Sequence, residues 1–134
     1  MILVDTTVWI DFFRGADTPG KRVFEHLLRE GSMVAITDII LTEILRGIHS
    51  EKEYQLVKHR LGVFPCLTAK APQTFIHAAD IYRQCRKKGA TIRSTVDCLI
   101  AAVCIEHGAS LLHHDSDFDL IAKHTSLKLE KMNK

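Results

Sequence analysis

Four positions in this chain carry carboxylates where a parallel α/β fold would present them to a ligand. Asp5 comes directly after the apolar run Ile2-Leu3-Val4. Glu43 lies in the helical stretch after Met33–Ile36. Asp97 falls in the first turn of a helix opened by Ser94. Asp115, with Asp117 two residues on, follows Ser110–His113. Gathered in one cleft, such carboxylates repel, and one or more would take up protons at neutral pH. A hard divalent cation removes that penalty, and an all-oxygen ligand set favours Mg²⁺ or Mn²⁺ over zinc. An ion of this kind can activate water and neutralise charge on a phosphodiester under attack. No zinc set competes, because His113 and His114 are adjacent and have no Cys or His partner at motif distance.

Taken singly, each acid also has an ordinary structural role open to it. Asp5 can cap the helix that follows. Asp97, three residues after Ser94, can be the far partner of a capping box. Asp115 and Asp117 can build a turn and cap a short helix. Glu43, flanked by Ile40, Leu41, Ile44 and Leu45, needs a partner on that apolar face, and Arg46 can supply one. Their joint position at one end of a sheet is what favours chemistry, since ligands of open parallel sheets bind beyond the strands' carboxyl ends.

The elements that must bring them together follow a regular rhythm. Short apolar runs at Ile2–Val4, Met33–Ile36 and Ser110–His113 predict buried strands. Val63–Leu67 predicts a further strand, which Pro65 demotes to an edge, and Leu127–Glu130 alternates as a last one. Between them, apolar residues at helical spacing predict helices over Val8–Arg14, Thr18–Glu30, Thr37 to about His49, Glu51–Leu61, Thr74–Lys88 and Val96–Glu106. A turn and short helix span Asp115–His124. In the fifth of these helices Phe75, Ala78, Ala79, Tyr82 and Cys85 form one stripe. Strands alternate with helices and hairpin signals are absent. The expected class is α/β: a central parallel sheet of four to five strands with helices on both faces.

Size and composition set the limits. At 134 residues and 15.1 kDa, the chain is expected to form a single domain over residues 1–134. It should bury roughly 68% of its unfolded surface, enough for a core without staples. An apolar fraction of 46% and a charged fraction of 25% exclude a disordered tail, a collagen-like chain and a coiled coil. Lys plus Arg number 18 and Asp plus Glu 16, a net charge of +2 that is too mild to announce a nucleic-acid binder by itself. The apolar start is interrupted by Asp5 and Asp11, so neither a signal peptide nor a membrane span is expected. Cys66, Cys85, Cys98 and Cys104 form no CxxC pair and are expected to be buried or partly buried free thiols of a cytoplasmic protein.

At four places the sequence resembles the PIN-domain nucleases, and within them the VapC-type toxins of toxin–antitoxin pairs. The matching residues are Asp5-Thr6-Thr7-Val8-Trp9-Ile10, Thr42-Glu43-Ile44-Leu45-Arg46-Gly47, the run from Ser94 through Asp97 to Ala102, and the run from His114 through Asp115 and Asp117 to Ala122. They span the chain in the family's order. The resemblance implies a three-layer α/β/α fold and a ribonuclease dependent on Mg²⁺ or Mn²⁺ that leaves 5′-phosphate and 3′-hydroxyl ends. It also implies a homodimer and inhibition by a small cognate antitoxin. Asp5, Glu43 and Asp97 match the three core acids, and Asp115 the fourth. Asp117 belongs to the same loop, and Thr6 matches a hydroxyl that helps hold the metal shell. Cys98 stands where the family often has alanine, and His113-His114 fall where it varies.

Two further groups bear on partners. Arg83, Arg86, Lys87, Lys88 and Arg93 cluster before Asp97 and can track RNA phosphates, or simply complement a helix C-terminus. Trp9, Phe12 and Phe13 share one short helix, with two expected in the core and an exposed remainder in the antitoxin groove. A non-hydrolytic nucleic-acid-binding or scaffold protein of the same fold is the alternative, and it should lack a core acid. A phosphatase of the haloacid dehalogenase type needs a second Asp two residues after the first, where this chain has Thr7. A receiver domain needs paired early acids and a late lysine, and neither is seen.

Overall fold

The computed structural model describes residues 1–132. Strand β1 (Ile2–Val4) is apolar and buried at every position, as a strand covered on both faces must be. Helix α1 (Thr6–Arg14) follows at once and stops at Gly15, whose φ of 70° is a left-handed conformation that suits glycine. Thr18 caps α2 (Pro19–Arg29) by accepting the Lys21 N–H. Then come β2 (Val34–Thr37), α3 (Asp38–Arg46), α4 (Glu51–Leu61) and β3 (Cys66–Leu67). The second half runs α5 (Gln73–Lys87), α6 (Thr95–His107), β4 (Ser110–Leu112), α7 (Ser116–His124) and β5 (Lys128–Leu129).

All five strands are parallel, in the order β3-β2-β1-β4-β5, within a three-layer α/β/α arrangement. Ile2 pairs with Val34 on one side of β1 and with Ser110 on the other. The chain therefore moves outward from β1 through β2 to β3, then returns across β1 to build β4 and β5. The reversal of strand order falls between β1 and β4, whose carboxyl ends lead into Asp5 and Asp115. The Asp5 N–H donates to the Leu112 carbonyl at 2.9 Å, which locks those two ends together. Beneath them lies a core of Trp9, Phe24, Phe118, Leu111 and Leu112, with Ile100–Cys104 of α6 buried along its length. No helix among the described residues is long and apolar enough to cross a membrane.

Three expectations are corrected. The strand expected over Val63–Leu67 is reduced to Cys66–Leu67, because Val63 is 74% exposed and Pro65 has no N–H to pair; it does form a sheet edge. Cys66 on that edge is exposed, whereas Cys85, Cys98 and Cys104 are buried thiols. The buried face of α5 is Thr74, Ala78, Ile81 and Cys85, so Phe75 and Ala79 stand outside it. With Tyr82, Thr95 and Leu99 they line a shallow groove between α5 and α6.

Candidate metal centre and active site

Asp5 and Asp115 are delivered by the loops that follow β1 and β4, Glu43 by α3 and Asp97 by the first turn of α6. Asp5 is the residue between β1 and α1, buried, with no side-chain cap bond to the helix it precedes. A buried carboxylate not used as a cap is pushed toward its protonated form, and burial raises the Asp5 pKa from 3.8 to about 6. The Thr6 amide offsets part of this, while Glu43 and Asp115 add to it. Glu43, on α3, finds its partner in Thr6 and not in Arg46: the Thr6 hydroxyl donates to Glu43 Oε1 at 2.6 Å. This bond joins two residues 37 apart in the chain and ties α1 to α3 beside Asp5.

Asp97 sits in the first turn of α6, where its N–H donates to Ser94 Oγ at 3.4 Å. That is one half of a capping box. The Asp97 carboxylate does not return a bond to the Ser94 N–H, and its Oδ2 is buried without a hydrogen-bond partner. Desolvation, then the charges of Asp115, Asp5 and Asp117, raise its pKa from 3.8 to about 7. Asp115 does cap α7, Oδ1 accepting the Asp117 N–H at 2.9 Å. Asp97, Asp115 and Asp117 each offer an oxygen to a cluster in which these atoms lie within 4.8 Å of one another.

The chemistry of this donor set fits a divalent cation. An orphaned buried carboxylate oxygen, on a group that burial and its neighbours push toward the protonated form, is a poor structural element and a good cation ligand. Asp117 is less free than Asp115, since its buried Oδ2 already accepts the Arg93 N–H at 3.0 Å. The Arg93 guanidinium lies 3.5 Å from Asp117 and 3.9 Å from Asp115, exposed at the rim. Arg86 and Lys87 occupy the last turn of α5 and Lys88 caps it; Arg86 lies over the Tyr82 ring, 5.6 Å from its centre.

Sequence reading missed one participant. His113 is buried after β4, and its Nδ1 accepts the Asp115 N–H at 3.0 Å. Burial lowers its pKa, which favours the neutral ring that this bond needs. A histidine two residues before a loop acid was the available signal, but its ring direction could not be read without the loop.

Away from the acids, Trp9 is fully buried against Phe24 and Phe64, and Phe12 and Phe13 are half-buried. Phe13 lines a groove of about 350 Å³ with Ile10, Ile44, Ile48 and Val57, between α1, α3 and α4.

Comparison with known proteins agrees with this geometry. Residues 2–124 match the PIN domain family model. The chain is 38% identical over 129 residues to ribonuclease VapC11 of Mycobacterium tuberculosis, covering 96% of each chain. It is 33% identical over 120 residues to ribonuclease VapC51 of the same organism, covering 90% of this chain and 84% of that one. The fold is shared with VapBC2 of Rickettsia felis, solved bound to a promoter DNA fragment, at a TM-score of 0.75 and 20% identity over 97% of this chain and 98% of that one. It is also shared with FitAcB of Neisseria gonorrhoeae, at a TM-score of 0.71 and 19% identity over 98% of each. With its acids at the strand-order reversal and its length matched to those relatives, the chain belongs to the PIN domain family, among the VapC-type proteins.

Proposed function

We propose that this protein is an Mg²⁺- or Mn²⁺-dependent endoribonuclease toxin held in check by a small antitoxin. The observation that carries the reading is Asp97, whose Oδ2 is buried without a hydrogen-bond partner and whose carboxylate clusters with those of Asp115 and Asp117 at the reversal of strand order. The printed names of the relatives, VapC ribonucleases, support RNA as the substrate. Asp97 and Asp115 would hold the ion, with Asp5 and Glu43 completing the acidic wall. When bound, a divalent cation supplies an activated water and neutralises charge on the phosphodiester. Thr6 orients Glu43, and Asp117 anchors the loop through the Arg93 amide. Asp97, pushed toward its protonated form by burial and the neighbouring carboxylates, would give up that proton to a bound cation. Arg93, exposed beside the acids, and Arg86, Lys87 and Lys88 further along can pair with RNA phosphates. All core acids are present, which argues against the non-hydrolytic alternative.

The groove lined by Ile10, Phe13 and Ile44 suits the apolar anchors of an antitoxin segment, and a cationic side chain reaching from it could pair with the acids. The groove of exposed Phe75 and Ala79 with half-buried Tyr82 and Leu99 suits a homodimer contact. The expected setting is the cytoplasm. The test is total RNA incubated with wild type and with Asp5→Asn and Asp115→Asn in Mn²⁺. Cleavage by wild type alone, with all three folded, is the expected result. Intact RNA with wild type, or equal cleavage by the variants, contradicts the assignment.

A further inference from the structure

We infer that His113 is a positioning residue that sets the Asp115 carboxylate through its backbone amide. The inference rests on the reading of Asp115 as a metal ligand. Two bonds determine where that carboxylate lies. Its side-chain torsion is held by the Asp117 N–H on Oδ1 at 2.9 Å. Its backbone is held by the bond from the Asp115 N–H to His113 Nδ1 at 3.0 Å. An amide N–H facing Nδ1 requires that nitrogen to be the unprotonated one, so the ring proton belongs on Nε2. There it faces Asp119 Oδ1 at 3.4 Å. The ring is 8% exposed and tilted against Phe118, with centroids 5.2 Å apart, which fixes its direction. β4 ends at Leu112, so the sheet supplies no ladder partner to this amide and the His113 ring takes that place.

Removing an outer group that orients a metal ligand commonly weakens metal affinity by about 10–100-fold. The discriminating variants differ in where they place an acceptor. His113→Asn puts an amide oxygen where Nδ1 was. His113→Gln places its polar group where Nε2 was, and His113→Phe keeps a ring without an acceptor. Mn²⁺ affinity of the whole chain, measured by calorimetry without RNA, should weaken roughly tenfold in His113→Gln and His113→Phe. It should stay within about twofold of wild type in His113→Asn, which rescues the bond. Amide exchange at Asp115, followed by NMR in the metal-free chain, should be slowed in wild type and His113→Asn and fast in His113→Phe.

Wild-type affinity in all three variants, or equal weakening in His113→Asn and His113→Gln, overturns the positioning role while leaving the metal centre standing. Fast exchange at Asp115 in wild type overturns it as well, even where a variant fails to fold. A wild-type chain that binds no Mn²⁺ overturns the metal centre itself and this inference with it.

Discussion

Replacing Asp97 by Asn should make the metal-free protein more stable and the metal-loaded protein less so. The substitution keeps size and shape and removes one charge from a cluster whose oxygens lie within 4.8 Å of one another. Two unit charges about 5 Å apart repel by about 3 kcal/mol at an effective dielectric constant of about 20. Asp97 is only half-buried and partly protonated near pH 7, and Arg93 lies within 4 Å of both Asp115 and Asp117, so the realised relief should be about 1 kcal/mol. For a chain of this size that raises Tm by about 3–5 °C in chelator. The asparagine amide can also donate where the carboxylate could only repel. Adding Mn²⁺ at about 100 times its dissociation constant should stabilise wild type by about 2.7 kcal/mol and the variant far less. The two melting curves should therefore cross over between chelator and Mn²⁺, while RNA cleavage falls by a factor of at least about 100. A variant that melts lower than wild type in chelator and gains as much from Mn²⁺ would refute this reasoning and return Asp97 to a capping role.

Stability should also depend on pH through the same groups. Asp5 and Asp97 have folded-state pKa values raised to about 6 and about 7, so between about pH 4 and pH 7 the folded chain holds protons that the unfolded chain has released. Their contribution to stability falls as pH rises through that window; the Tm difference between wild type and Asp97→Asn in chelator should widen from about pH 5 to about pH 8, and a constant difference would contradict the shift. Thr6→Val removes the donor to Glu43 and should lower stability by about 1–2 kcal/mol in denaturant melts, with Thr6→Ser recovering most of it. Equal losses in both variants would mean that packing, not the hydroxyl, is responsible. Charge reversal at Arg86, Lys87 and Lys88 should weaken RNA binding without moving the cut site, each lost phosphate contact lowering the salt slope by about one. An unchanged slope would assign these residues to the helix C-terminus alone.

The architecture was legible because each boundary carries a local signal. Gly15 and Gly108 end helices in the left-handed conformation, and Ile2–Val4 and Leu111–Leu112 are short apolar runs that each lead into a helix. Asp5 and Asp115 were legible because strand ends in a parallel sheet converge where strand order reverses, at β1 and β4. What failed depends on tertiary context. Phe75 reads as core by helical spacing, yet it lines the open groove beside α6 and is 48% exposed. Val63 reads as strand by type, yet Pro65 and the sheet edge leave it outside. Glu43 looked for a partner in its own helix, at Arg46, and found one 37 residues away in Thr6. Arg93 was read as a phosphate contact from its place in sequence. Its pairing with Asp115 and Asp117 depends on α7 folding back over the start of α6, which spacing does not reveal.

The most direct measurement is the chemistry of the cut ends. Purified protein is incubated with RNA in Mn²⁺ and, separately, in chelator, and the termini are mapped. Cleavage only with the cation, leaving 5′-phosphate and 3′-hydroxyl ends, is the expected result for water activated in an acid-lined metal centre. Chelator-resistant cleavage, or ends carrying 2′,3′-cyclic phosphate, would mean that the RNA's own 2′-hydroxyl attacks without the metal. Asp5, Glu43, Asp97 and Asp115 would then not be the centre of the reaction.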